Sequence, residues 1–196
     1  MAVSSESVVS MTRSQLARRT RVIEAAIQLA ADGGYDAVQM REVAATASVA
    51  LGTIYRYFTS KDHLLAAALV EWSGDLQRRL ADKPPRGATT ADRVVEVVRR
   101  AHRSMERNPR LAAALITAVT APDPTLAEYQ QQMMGMLREV LSSPMADVEA
   151  ELRGGVLQVL THVWFSTLMH WVNGWYGADQ VGEELELAAR LLLREM

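Results

Sequence analysis

Residues 49 to 58 read VALGTIYRYF, which puts a glycine, a hydroxyl, a guanidinium and two phenols on an otherwise apolar stretch. At 100° per residue, Leu51, Ile54, Tyr55 and Phe58 share one side of a helix, and Gly52, Thr53, Arg56 and Tyr57 share the other. The first set suits a core. The second is poor for packing, but its donors and acceptors suit phosphate oxygens and base edges in a DNA major groove. Gly52 also lets a backbone approach closely.

A helix this short needs neighbours to hold it. Upstream, Met40 to Ala47 forms a brief periodic piece with Val43 and Ala44 inward and Arg41, Glu42 and Thr46 outward. Ser48-Val49-Ala50 makes the tight connection, and Ser60 is placed to cap a longer helix starting at Lys61. Before them a helix from about Ser14 carries Ile23, Ala26, Ile27 and Ala30 on one face and stops at Gly33-Gly34. Two short helices joined by a tight turn make a helix-turn-helix arrangement, whose second helix enters a groove. On periodicity alone, an ordinary helical corner with a solvated outer face fits equally well.

The stretch GGYDAVQMREVAATASVALGTIYRYFTSKDHLL, residues 33 to 65, resembles the DNA-binding head of TetR-type repressors. RNP at 107 to 109 and VWFSTLMHWV at 163 to 172 extend the likeness toward a branch of that family, the actinobacterial repressors of cholesterol-catabolism genes. By position, the resemblance implies that Gln39 and Arg41 open the second helix, where Arg41 reaches a base or phosphate. It places Leu51, Gly52, Thr53 and Tyr57 toward the groove, Tyr55 on a phosphate, and Lys61 where charge and helix N-terminal amides jointly hold a phosphate. Leu51 departs from the polar residue of some relatives and either touches a thymine methyl or packs. The resemblance further implies a double-stranded DNA operator, a homodimer, and a hydrophobic inducer held in each body, a steroid or acyl chain carrying coenzyme A.

The rest of the chain is helical in pattern and has no hairpin signals. ADKPPRGATT at 81 to 90 breaks the periodicity and ends on a cap at Thr89 or Thr90. Asn108-Pro109 starts the next helix, Pro122, Pro124 and Pro144 punctuate later ones, and the last two run roughly from Val156 to Tyr176 and from Gln180 to Glu195. In the first of these, Leu157, Leu160, Trp164, Leu168, Trp171 and Trp175 step by three or four, while Gln158, Thr161 and His162 interrupt the run. That rules out a membrane span and suggests a bundle shared between two subunits, with full burial within one subunit as the alternative. Ten methionines, including Met133, Met134 and Met136, supply adaptable lining for core or cavity. Together with the resemblance, they nominate Met105, Leu115, Val119, Met133, Leu137, Trp164, Leu168 and Trp171 as the pocket.

Composition narrows the function classes. The 196 residues are 49% hydrophobic and 22% charged with no cysteine, which excludes a disulfide scaffold, a thiol nucleophile and a thiolate zinc site and suits a reducing cytoplasm. The net charge of −2 excludes a uniformly basic binder, yet residues 11 to 61 hold seven Lys and Arg against four acids. His102, His162 and His170 lack metal or acid-base spacing, and there is no nucleophile elbow, P-loop or dinucleotide motif, so no enzyme, cofactor or metal is expected. The expected architecture is all-α with about nine helices: a loose arm over 1–13, a helix-turn-helix head over 14–62, and an antiparallel helical body over 63–196 for ligand and dimer. The leading reading is a repressor released by a steroid or acyl-CoA type inducer. A regulator of the same type answering a drug or antibiotic, a helical scaffold, or an enzyme are the alternatives.

Overall fold

The computed structural model describes residues 11–194; the first ten residues of the expected arm lie outside them. Among the described residues there are nine α-helices and no strand, which is the expected class. The first, α1 (Arg13–Ala37), opens on a capping box. The Thr12 hydroxyl accepts from the Gln15 N–H at 3.3 Å, and Gln15 Oε1 accepts from the Thr12 N–H at 2.8 Å. Its buried stripe of Val22, Ile23, Ala26 and Ala30 ends at Gly34, whose φ of 74° and ψ of −164° are open essentially only to glycine. The chain bends there, and buried Val38 leads it extended into α2 (Met40–Thr46).

The connection after α2 is a helix stop built on serine. Ser48 takes the left-handed conformation (φ 52°), the Val49 N–H donates to the Ala44 carbonyl at 3.0 Å, and the Ser48 N–H donates to that of Ala45 at 3.1 Å. The next helix, α3 (Leu51–Tyr55), has five residues. α4 (Lys61–Asp82) follows, with the Ser60 hydroxyl accepting from the His63 N–H at 3.0 Å as its cap. Every side chain from Leu64 to Leu69 is buried, which marks α4 as a central helix packed on several sides.

The body continues through α5 (Thr90–Arg107), capped by Thr89 with Asp92, and α6 (Pro109–Val119), with proline in the first turn. After a short 3₁₀ turn at Pro124–Leu126 come α7 (Ala127–Ser142), α8 (Ala150–Val172) and α9 (Ala178–Leu192). α8 starts six residues before the position expected from the sequence, because Glu149 caps it by accepting from the Glu151 and Leu152 N–H groups, each at 3.0 Å, and the helix runs through Gly154 and Gly155.

Two buried clusters organise the chain. One gathers α1 to α4 with Leu111, Leu115 and Val119 of α6 and Met133 of α7; the other fills the space among α5, α7, α8 and α9. α6 lies against both α1 and α4, and Trp72 of α4 touches both clusters. The apolar stripe expected to be shared between subunits is filled largely at home: Leu160, Trp164 and Leu168 are buried within the protomer. The exposed apolar surface of α8 is instead Leu152 and Val159, seven residues apart on one face, and α9 adds Leu187 and Leu191.

His63 joins the start of α4 to both its neighbours. Its ring lies edge-on to Phe58 at 5.8 Å and against Tyr129 of α7 at 5.2 Å, while Nδ1 accepts from the Thr59 N–H at 3.1 Å. Burial lowers its pKa from the ordinary 6.5, with Arg19 adding to the effect and Asp123 and Glu128 opposing it. The unfolded chain therefore takes up a proton at a pH where the folded chain still resists it, so stability is complete above about pH 6.5 and falls below it. Denaturation midpoints measured from pH 7.5 to 5 should show His63→Asn losing its disadvantage against the wild type as the pH falls. A pH-independent difference would place the proton elsewhere.

Candidate nucleic-acid interface

The elements above leave one polar face uncovered. In α3 only Ile54 is fully buried, and Phe58 follows it into the same core; each contributes about 1.5–3 kcal/mol of burial. Arg19 of α1 holds the site from behind, with its guanidinium 5.4 Å from the Phe58 ring centroid and bonded at 3.0 Å to Glu71 of α4. Over this anchor Arg41, Gly52, Tyr55 and Arg56 are exposed and Thr53 is half-exposed. The Arg41 and Arg56 side chains make no hydrogen bond or ion pair among the described residues. A Cβ at Gly52 would meet nothing within 4 Å, so no contact among the described residues requires glycine there.

The two tyrosines differ from the helical-wheel expectation. Tyr55, assigned to the core side, is 51% exposed, while Tyr57, assigned to the outer side, is half-buried against the core with its hydroxyl buried and without a partner among the described residues. The reason is a change of pitch. The Tyr57 N–H donates to the Ile54 carbonyl at 2.8 Å, an i to i−3 bond, so the chain tightens toward 120° per residue and Tyr57 eclipses buried Ile54. Tyr55 is thus left at the rim, the side that the resemblance implied for it. Leu51 is half-buried and packs on the head core, which favours packing over readout. Gln39 precedes α2 but turns back, Nε2 donating to the Asp36 carbonyl at 3.0 Å.

Lys61 is not free. Its ammonium sits 3.6 Å from the Tyr35 ring centroid and donates to the Tyr35 carbonyl at 3.3 Å. The Tyr35 hydroxyl in turn donates to Asp62 at 2.5 Å. Burial, then Asp62, push its pKa up to about 12, so it stays a neutral donor at any ordinary pH. This clasp ties the end of α1 to the start of α4 and holds the cation at the edge of the exposed face.

A second candidate site lies in the body. Met105, Met133, Leu137, Trp164 and Leu168, five of the eight expected pocket residues, line one apolar cavity together with Ile116, Met136 and Val140. Leu115 does not reach it because it is fully buried in the head-side cluster. Val119 borders a separate, more open hollow with Thr120, Met134, His162 and Phe165, and Trp171 packs on the outside of the body core. Leu69, Trp72, Ser73 and Gln77 of α4, with Ala101 and Ser104 of α5, complete the cavity wall. Sequence reasoning missed these six, although Leu69 and Trp72 continue the stripe of Leu65. The cavity holds about 70 Å³, against about 300–1,000 Å³ for sites that enclose drug-sized ligands.

Residues 22–68 match the model of bacterial regulatory proteins of the tetR family, and residues 87–192 match the tetracyclin repressor-like C-terminal domain. The chain belongs to the TetR family. It is 36% identical over 183 residues to the HTH-type transcriptional repressor KstR of Mycobacterium tuberculosis, covering 93% of this chain and 83% of that protein. To KstR of Rhodococcus jostii it is 37% identical over 183 residues, covering 93% and 85%. A TetR transcriptional regulator from Rhodococcus sp. RHA1 superposes with a TM-score of 0.80 at 30% identity over 94% of this chain and all of that one. FadR of Bacillus subtilis, solved in complex with stearoyl-CoA, shares the fold with a TM-score of 0.63 at 21% identity over 90% and 98%. Its relatives are named as regulators, not enzymes. Among the described residues no acidic or histidine group could hold a metal, and no helix is long and apolar enough to cross a membrane.

The position of Lys61 yields a measurable expectation. Lys61→Ala should weaken binding to operator and unrelated DNA by a similar factor and reduce the slope of log K against log salt by about one, as loss of a single phosphate contact does. A stability loss with an unchanged slope would leave Lys61 only its clasp on Tyr35.

Proposed function

We propose that this protein is a transcriptional repressor that grips a near-palindromic DNA operator as a homodimer and lets go when a hydrophobic inducer fills the body. Residues 14–62 serve as the DNA-binding head and 63–196 as the ligand-binding and dimerisation body, working in the cytoplasm where the operator is. The observation that carries this reading is the exposed face of α2 and α3, where Arg41, Gly52, Thr53, Tyr55 and Arg56 stand over a fully packed anchor. Arg56 and Gly52 enter the groove, Arg41, Tyr55 and Lys61 hold phosphates, and Tyr57 and Leu51 set the angle of α3 from below. Gln39 joins them after releasing Asp36.

One head grips DNA weakly; two heads about 34 Å apart meet successive turns of one face and double the contacts. Leu152 and Val159 of α8 with Leu187 and Leu191 of α9 supply an apolar patch for the twin subunit. The inducer is a steroid or acyl skeleton, as a coenzyme A thioester, in line with the likeness to the KstR repressors and to the fold of FadR. Because the cavity is small, such a skeleton has to part α4 from α7. The methionines there, flexible and unbranched, give way first. Moving α4 re-aims α3 through Ser60, so inducer and operator select different spacings of the heads.

Two substitutions test the DNA-binding face without disturbing the fold. Gly52→Ala adds a methyl into open space and gains up to about 1 kcal/mol of helix propensity, and Arg56→Ala removes a side chain that bonds to nothing among the described residues. Both variants should melt at or slightly above the wild type, keep its dimer and lose at least about tenfold in affinity for the DNA upstream of the protein's own gene, measured by fluorescence anisotropy. Wild-type affinity in both variants would favour a helical scaffold.

A further inference from the structure

Between α3 and α4 the chain turns a corner over residues 58 to 60, and one side chain braces that corner. His63 Nδ1 accepts from the Thr59 N–H at 3.1 Å and lies 3.0 Å from the Thr59 hydroxyl. Its ring meets Phe58, the anchor of α3, edge-on at 5.8 Å, and Tyr129 of α7 at 5.2 Å. His63 therefore joins that anchor to the body by a ring contact to each. The body end is itself fixed: Leu126, just before α7, is fully buried, and Gln130, next to Tyr129, donates from Nε2 to the Val119 carbonyl of α6 at 3.0 Å.

This arrangement needs a neutral ring. An imidazolium carries hydrogen on both nitrogens, so Nδ1 loses the lone pair that accepts the Thr59 N–H. The Thr59 hydroxyl can accept from the new Nδ1–H, but the Thr59 N–H is then left facing a donor. His63 also occupies the third position of α4, where the positive end of the helix dipole opposes a cation. Of the charged groups around the ring, Arg19 of α1 opposes the proton, while Asp123 before the 3₁₀ turn and Glu128 in the first turn of α7 favour it. Glu71 is engaged with Arg19, and Lys61 and Asp62 with Tyr35. Burial outweighs the two carboxylates and keeps the proton off.

We infer that His63 is a positioning residue for operator binding: neutral, it seats the corner at 58–60, and with it α3, against α7; protonated, it frees that corner, so the operator is released as the pH falls. This rests on the repressor reading above and adds to it an input that needs no inducer. His63 acts through Phe58 and Thr59. The direction is opposite to the general effect of a polyanion, which favours the protonated form of any histidine near it.

The test titrates the full-length protein by fluorescence anisotropy into the DNA upstream of its own gene and into a scrambled duplex of equal length. The range runs from about pH 8 to about pH 5.5 at constant ionic strength, with folding checked by circular dichroism at each step. The ratio of the two affinities cancels the general attraction of DNA for protons. In the wild type this ratio should hold above about pH 6.5 and drop at least about threefold by about pH 5.5. His63→Asn, whose Oδ1 accepts from Thr59 but does not titrate, should give a flat ratio at whatever affinity it keeps. Reciprocal linkage also requires the His63 ring proton of the wild type, followed by NMR, to titrate at lower pH with the upstream DNA bound than without it. A flat ratio in the wild type, an equal drop in His63→Asn, or a titration raised or unmoved by that DNA would overturn the inference and leave the repressor reading standing. Equal affinity for both duplexes at every pH would overturn the repressor reading, and this inference with it.

Discussion

The head depends on one constraint: a five-residue helix has no stability of its own in water, so α3 exists only because Ile54 and Phe58 are driven into a core that other helices have already built. The surroundings of Phe58 follow from this. Arg19 lies over its ring, His63 meets its edge, and Glu71 fixes Arg19 from α4. With Ile54 and Phe58 buried and Leu51 packed beside them, Gly52, Tyr55 and Arg56 are left facing outward, and polar and small residues there cost the fold little. A recognition surface is thus the complement of the anchor, and the two alternate along ten residues.

The same anchor ties the head to the body. α4 supplies the His63 and Glu71 that brace α3, and from the turns around and beyond Glu71 it supplies Leu69, Trp72, Ser73 and Gln77 to the cavity wall. Trp72 lies where both buried clusters and the cavity meet. The Leu64–Leu69 segment of α4 is buried, so on the proposed reading a displacement of α4 would carry this segment as a unit. Tyr129 of α7 gives a shorter second link, touching His63 one turn before Met133 enters the cavity.

How much of this is legible in the sequence depends on the range of the signal. Caps and stops are local, so Ser60, Thr89, Pro109 and the Gly33-Gly34 pair mark helix ends without knowledge of the fold. The turn from α2 to α3 is equally local, although serine replaces the usual glycine at its left-handed position. The facing of Tyr55 and Tyr57 is not local in this sense: it turns on one i to i−3 hydrogen bond that a fixed 100° wheel does not contain. The cavity is the least legible feature. Periodicity separates buried from exposed, and Leu115 and Met105 are both buried, but only packing decides which of them borders a void. The apolar stripe of α8 misleads for the same reason, since Leu160, Trp164 and Leu168 find partners within the protomer and leave Leu152 and Val159 outside.

The small cavity sets a threshold on what can act as an inducer. Shifting a two-state equilibrium from 1:99 to 99:1 takes about 5.5 kcal/mol of differential binding, and a buried methylene supplies about 0.8 kcal/mol, so about seven methylenes must find burial in the opened body that the closed one denies them. A cavity of about 70 Å³ denies nearly all of them, which makes the difference between the states close to the whole apolar contribution of the ligand. Part of that gain is spent separating α4 from α7, where Leu69 and Trp72 face Met133 and Met136 across the void, and the unbranched methionines keep this cost low. A larger resting cavity would bind the same skeleton more tightly in both states and switch less. On the proposed reading, the packing around Trp72 is what would convert hydrophobic binding into a signal at α3.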